Sequence, residues 1–171
     1  FRTGTGSLEV HRGEWKRLFI KGINLGIGLP GSFPGEYAIK KGTYRKWFGQ
    51  ISGIGINALR IYTLHPPSFY EALDEWNRSG NTLYLFQGIW TEPPSGDDYS
   101  GEEYLSYVRG NIRDAVDAVY GNADLPQRPG YPDGKYSVDV SWCTIGFLFG
   151  REWEPCSVKR FNESRGRRRG A

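Results

Sequence analysis

The residues best suited to chemistry fall in four short stretches. Glu152 stands between Arg151 and Trp153 in GREWEP, directly after an apolar run, with Glu154 two positions on. A carboxyl group against an indole wall has its pKa raised, and a raised carboxyl is what general-acid catalysis requires. Glu154 is the second candidate for that role. The competing reading of Glu152 is a surface acid paired with Arg151. Arg60 lies inside the apolar stretch ALRIY, where a guanidinium is costly unless a partner meets it, so a structural ion pair is its plain alternative. Tyr62 and His65 follow directly, though His65 stands before Pro66-Pro67 and suits a helix start equally well. Asn24 and Trp90 close two other apolar stretches. Trp90 and Trp153 can stack on a ring-shaped ligand or fill a core, and Asn24 can bond a ligand or satisfy a strand end. Asp97 and Asp98 lie in a polar loop and read as solvated, and Cys143 and Cys156 read as free thiols. No metal and no cofactor is expected.

Alternating strands and helices must position these residues. Leu8 to Ile20 read as a β-hairpin turning at Arg12-Gly13, and Gly22 to Gly26 as a strand end. A long Gly/Pro-rich loop spans 26–42, and loops of that length are often functional. Thr43 then caps a helix carrying Tyr44, Trp47, Phe48 and Ile51, which ends at Gly53 and Gly55. Asn57–Thr63 is a buried strand, Pro66-Pro67 opens a helix stopped by Gly80, and Leu83–Trp90 is a strand covered on both faces. Ser100 and Glu103 form a capping box before a helix closed by Gly121. A turn-rich stretch leads to the last strand, Thr144–Phe149. This order implies an α/β fold with parallel strands and right-handed crossovers. A doubly wound dinucleotide fold is disfavoured, because Gly53-Ile54-Gly55 follows a helix and precedes a strand, the reverse of a phosphate loop. In the barrel alternative, the strands' C-terminal ends would gather Asn24, Tyr62, His65, Gln87, Trp90 and Glu152 on the face where barrel active sites form.

The composition sets the frame. A chain of 171 residues suits one domain with a sizeable core. Aromatic residues at 15 % are abundant, a content found both in ligand clefts and in aromatic cores. No apolar run is long enough to span a bilayer and no signal peptide is evident. With Met absent, the chain is expected to be a processed product or an excised piece. Residues 159–171 hold six basic side chains and one acid, so they contribute +5 to the net +3 and leave the rest at −2. The body is therefore no nucleic-acid binder, and no nucleic-acid partner is expected.

The segments FIKGINLGIGLPGSFPGEYAI, NALRIYTLHPPSFYEAL, LYLFQGIW and GREWEP resemble the (β/α)8 catalytic barrel of family 2-like retaining glycoside hydrolases, over roughly 15–155. NALRIYTLHPP is similar to the second-strand Asn-x-x-Arg…His-x-Pro pattern, and GREWEP falls where the family carries its acid/base glutamate, with Arg151 in place of the usual Asn. The resemblance implies a retaining glycosidase in which Glu152 is the acid/base, Arg60 orients a catalytic carboxylate, and Asn24, Tyr62, His65, Trp90 and Trp153 contact the carbohydrate. The nucleophile would come from a seventh strand, beyond the four read here. Residues 1–22 then serve as a hairpin lead-in, 23–158 as the N-terminal half of a barrel, and 159–171 as a disordered basic tail. That tail reads as a displaced reading frame or as a phosphate-binding arm. The chain alone is expected to be inactive, and a carbohydrate-binding protein without chemistry is the alternative. Open strand edges favour a marginal monomer, a barrel-completing dimer or aggregation. The compartment is left open.

Overall fold

A computed structural model describes residues 1–150 and 152–168, with side chains through Arg165. At the N-terminus β1 (Arg2–Gly4), β2 (Ser7–Arg12) and β3 (Glu14–Leu18) form an antiparallel sheet in the order β1-β2-β3. Gly13, at φ +77°, makes the tight turn between β2 and β3. In chain order there follow β4 (Gly22–Leu25), α1 (Lys41–Gly53), β5 (Ala58–Ile61), α2 (Pro67–Arg78), β6 (Tyr84–Ile89), α3 (Glu102–Val119), β7 (Ala123–Leu125), β8 (Gly134–Tyr136), β9 (Thr144–Phe149) and α4 (Pro155–Arg168). The strands β4, β5, β6 and β9 are parallel and neighbour one another in that order, as their alternation with helices requires. β7 and β8 pair separately as a short antiparallel ribbon inside the turn-rich stretch.

Strand periodicity divides the parallel sheet into two faces. Leu59, Ile61, Leu85, Gln87 and Ile89 are buried, in one core with Tyr44 and Phe48 of α1, Phe69, Tyr70 and Leu73 of α2, and Ala115 and Val119 of α3. Gln87 is tolerated there because it accepts a 2.8 Å bond from the Tyr70 hydroxyl and donates to the Gly88 carbonyl at 2.8 Å. The other face carries Asn24, Arg60 and Phe86 side by side in register. Leu148 of β9 is exposed on that face, while Phe147 and Phe149, also exposed, alternate to the opposite face of this edge strand. The antiparallel sheet packs at the N-terminal end of β6. Phe1 meets the Tyr84 ring edge-on at 5.2 Å, and Arg12 donates to Thr82 at 2.9 Å. Asn57 secures the junction, accepting from Lys21 N–H and donating to the Phe19 carbonyl, both at 2.8 Å.

Three local expectations are corrected. Thr43 does not cap α1, which starts at Lys41 with Lys40 in the cap position. Ser100 forms no capping box either. It turns back to Asp98, with its amide and hydroxyl at 3.1 and 2.9 Å from Oδ1, and Gly101 takes the cap position of α3. The largest difference is at the C-terminus, where residues 159–168, read as part of a disordered tail, continue helix α4. Residues 169–171 lie outside the described residues.

Helix α4 is polar, and side chains from the loop after β6 hold it. Asp97 accepts from the hydroxyl of Ser157 and from Arg160 Nε, Tyr99 bonds Ser157 at 2.8 Å, and the Tyr99 ring meets Phe161 at 5.4 Å. The Arg160 guanidinium, with Ser157, holds the Asp97 carboxyl below the usual carboxylate range. Asp97→Asn should therefore free the helix: amide exchange across 157–165 should rise roughly tenfold with β5 and β6 unchanged, and unchanged exchange in α4 would count against this anchoring.

Both cysteines are free thiols. Burial pushes the Cys143 thiol up to about 12, which makes it unreactive. Among the described residues no helix is long and apolar enough to cross a membrane.

Candidate functional site

The C-terminal ends of the four parallel strands open into one cleft of about 1130 Å³. Asn24 of β4, Arg60 of β5, Tyr62 just after it, Trp90 just after β6, and Phe149, Glu152, Trp153 and Glu154 beyond β9 line it. Residues from four separate strands meet there because parallel strands all deliver their following loops to the same edge.

Arg60 sits opposite Asn24 in register, and its Nη1 lies 3.4 Å from the Asn24 Oδ1. Its guanidinium also lies 4.4 Å from the centre of the Tyr62 ring. Packing on a π face and a side-chain carbonyl hold the cation while leaving it half-exposed to the cleft. Among the described residues no carboxylate pairs with Arg60, so the structural ion pair weighed for it is not formed.

The aromatic walls are fixed by their own polar tips. Trp90 Nε1–H donates to a Glu92 carboxylate oxygen at 2.8 Å, leaving 37 % of the residue exposed. Trp153 Nε1–H donates to the Thr91 carbonyl at 3.2 Å, and its ring packs on Tyr99 at 5.2 Å and Phe149 at 6.0 Å. Trp153 therefore does two things at once: it packs against the loop after β6 and it presents a surface to the cleft. Glu152 is exposed within the cleft. Its alternative pairing with Arg151 falls outside the described residues.

Two residues expected at these strand ends lie outside the cleft: Gln87, buried on the core side of β6, and His65. His65 is fully buried and lines an adjoining pocket of about 410 Å³. Tyr44 binds its Nδ1 at 2.9 Å, and the hydroxyl of Tyr136 donates to its backbone carbonyl at 2.9 Å. Burial lowers the imidazole pKa to about 3, opposed by hydrogen bonding to the Leu25 backbone, so the ring is neutral at physiological pH. Tyr62 and Trp90 border both the pocket and the cleft.

Several lining residues escaped the sequence reading. Glu92 stands two positions after Trp90 at the end of β6, and the run Trp90-Thr91-Glu92-Pro93 after a strand echoes Trp153-Glu154-Pro155, a signal that was available. Tyr37 and Tyr131 come from the two turn-rich loops and had no local signal. Among the described residues no group of histidine, cysteine and acidic side chains is placed to hold a metal.

No family model, curated protein or solved structure matches the chain. The functional reading therefore rests on the cleft and on the sequence resemblance.

Proposed function

We propose that the four strand–helix units are half of a (β/α)8 barrel and that the cleft is part of the active-site face of a retaining glycoside hydrolase. One observation carries this reading: Asn24, Arg60, Tyr62, Trp90, Glu152 and Trp153, from four consecutive parallel strands, line a single cleft at the strands' C-terminal ends. In the proposed chemistry Trp90 and Trp153 offer apolar faces to the C–H side of a sugar ring, and Asn24 and Arg60 hydrogen-bond its hydroxyls. The Glu152 carboxyl gives its proton to the glycosidic oxygen as the bond to the anomeric carbon breaks. A second carboxylate, ~5–5.5 Å away, attacks that carbon from the opposite face. Water, deprotonated by Glu152, then releases the sugar and restores both groups. The second carboxylate belongs to the other half of such a barrel, so this chain is expected to bind carbohydrate without cleaving it. The exposure of Glu152 favours that binding role for the chain by itself.

The test uses a panel of unmodified oligosaccharides. At least one should quench tryptophan fluorescence saturably, without release of reducing ends. Trp153→Ala should weaken it roughly tenfold, while Glu152→Gln should leave it within about twofold, because a proton donor contributes chiefly to the transition state. Absence of any saturable sugar signal would overturn the reading.

A further inference from the structure

The two larger sheets treat their free edges differently. In the antiparallel sheet the edge strands carry charge, with Arg2 on β1 and Glu14, Lys16 and Arg17 on β3. Charged edges discourage pairing with another chain. The parallel sheet ends on β4 at one side and on β9 at the other, and neither strand holds a charged residue or a proline. Gly22, Ile23 and Asn24 of β4 are exposed, as are Phe147, Leu148 and Phe149 of β9. Among the described residues β4 pairs on one side only, with β5, and β9 on one side only, with β6. Each therefore presents an unpaired row of main-chain N–H and C=O groups.

The two edges also match each other. Ile23 is in register with Leu59, and Phe147 with Gln87, so both lie on the helix-covered side of the sheet. Phe149 joins them by alternation. All four strands run in one direction. A two-fold axis in front of the inner face, running along the strands, therefore sets β9 of each copy parallel to β4 of the other. Apolar side chains then fall on the same side of each new pair, and one operation removes all four free edges. Ile23, Phe147, Leu148 and Phe149 are 38, 39, 37 and 50 % exposed. Side chains of this size present ~200 Å² each, so the four offer roughly 300 Å² per copy and ~600 Å² in a pair. The strand main chains and the inner face add to this, toward the roughly 1,000 Å² that a specific interface needs.

We propose that the occupant of these edges is a second copy of this chain, and that two copies close one eight-stranded parallel barrel. Both clefts then open at the same end, because the axis runs along the strands. The Arg60 guanidinium, held over Tyr62, stays at that mouth. The closure rests on the half-barrel architecture above and not on its glycoside chemistry.

Sedimentation velocity on the full chain should show a species of twice 19.4 kDa across the micromolar range, and nothing larger. Ile23→Lys on one edge and Phe147→Lys on the other should each weaken that dimer at least tenfold, since both edges enter every contact. Both positions are exposed and lie outside the hydrophobic core, so urea midpoints measured on the dissociated chains should stay near the parent's. Trp15→Lys, on the antiparallel sheet, should leave the dimer intact. In the unaltered chain, amide exchange in β4 and β9 should slow as concentration rises through the dissociation range. A monomer throughout, growth beyond two copies, exchange in β4 and β9 that ignores concentration, or a dimer that depends on Trp15 and survives both edge variants would overturn the proposal. A monomer that binds oligosaccharide would remove the closure and spare the glycoside reading. A dimer lost with either edge variant but giving no sugar signal would keep the closure and end the carbohydrate assignment.

Discussion

Gly88→Ala should be among the most destabilising single substitutions in this chain. Gly88 lies in β6 on the open face of the parallel sheet, and a Cβ built on it would collide with the backbone carbonyl oxygens of Ile61 and Tyr62. These are main-chain atoms at the end of β5, so no rotamer change can clear them. The strand pair that carries Arg60 and Tyr62 would have to separate, breaking ladder bonds in the middle of the four-stranded sheet. Overpacking against side chains costs about 1–3 kcal/mol, and here the obstacle is backbone, so a loss of at least ~3 kcal/mol is expected against a typical total of about 5–15 kcal/mol. Gly146→Ala is the matched control. Gly146 pairs with Phe86 in the adjacent strand, yet a Cβ there meets nothing within 4 Å. Urea unfolding followed by circular dichroism should show a midpoint near the parent's for Gly146→Ala and a collapsed one for Gly88→Ala. Equal midpoints would mean the sheet absorbs the contact and that the approach of β5 to β6 is not what requires glycine.

That close approach also shows where sequence reasoning reaches its limit. Gly88 interrupts a run that otherwise reads as an ordinary buried strand, and nothing local says that another backbone arrives there. The elements themselves were legible because their signals are local. Thr144–Phe149 is an apolar run bounded by turns, and Pro67 opens α2 in a helix whose buried positions repeat at helical spacing. The convergence of Asn24, Arg60, Tyr62, Trp90, Glu152 and Trp153 was legible for a topological reason, since parallel strands bring their C-terminal ends to one edge. The pocket was not. Its shape depends on Tyr37 reaching Gly130 across 93 residues of chain, a contact with no periodicity to announce it. Helix α4 escaped for a related reason. Its residues are too polar to mark an apolar face, and its anchors, Asp97 and Tyr99, lie some 60 positions upstream. Ser100 had the right type for a cap, but Asp98 lay nearer and took its hydroxyl.

His65 should make the fold acid-sensitive well above the range where carboxylates titrate. In the unfolded chain the imidazole has a pKa near 6.5, whereas burial holds it at about 3 in the folded protein. Between those values the unfolded state binds a proton that the folded state refuses, so stability is full above pH 6.5 and falls as pH drops toward 3. The slope is at most ~1.4 kcal/mol per pH unit, giving a loss of up to ~2 kcal/mol by pH 5. The groups facing the ring do not offset it. Tyr44 and Tyr136 are phenols whose pKa values burial raises, so they stay neutral throughout, and Glu92 lies across the pocket bonded to Trp90. The measurement is the thermal midpoint at pH 7 and pH 5 in a His11→Asn background, which leaves His65 as the sole histidine. A fall of roughly 4–8 °C is expected for a domain of this size. His65→Gln keeps a hydrogen-bond partner for the Tyr44 hydroxyl but cannot titrate, so its midpoint should be lower at pH 7 and nearly level down to pH 5. A parent midpoint that is itself level over that interval would show that the imidazole accepts its proton without unfolding the protein, through an opening of the pocket toward solvent.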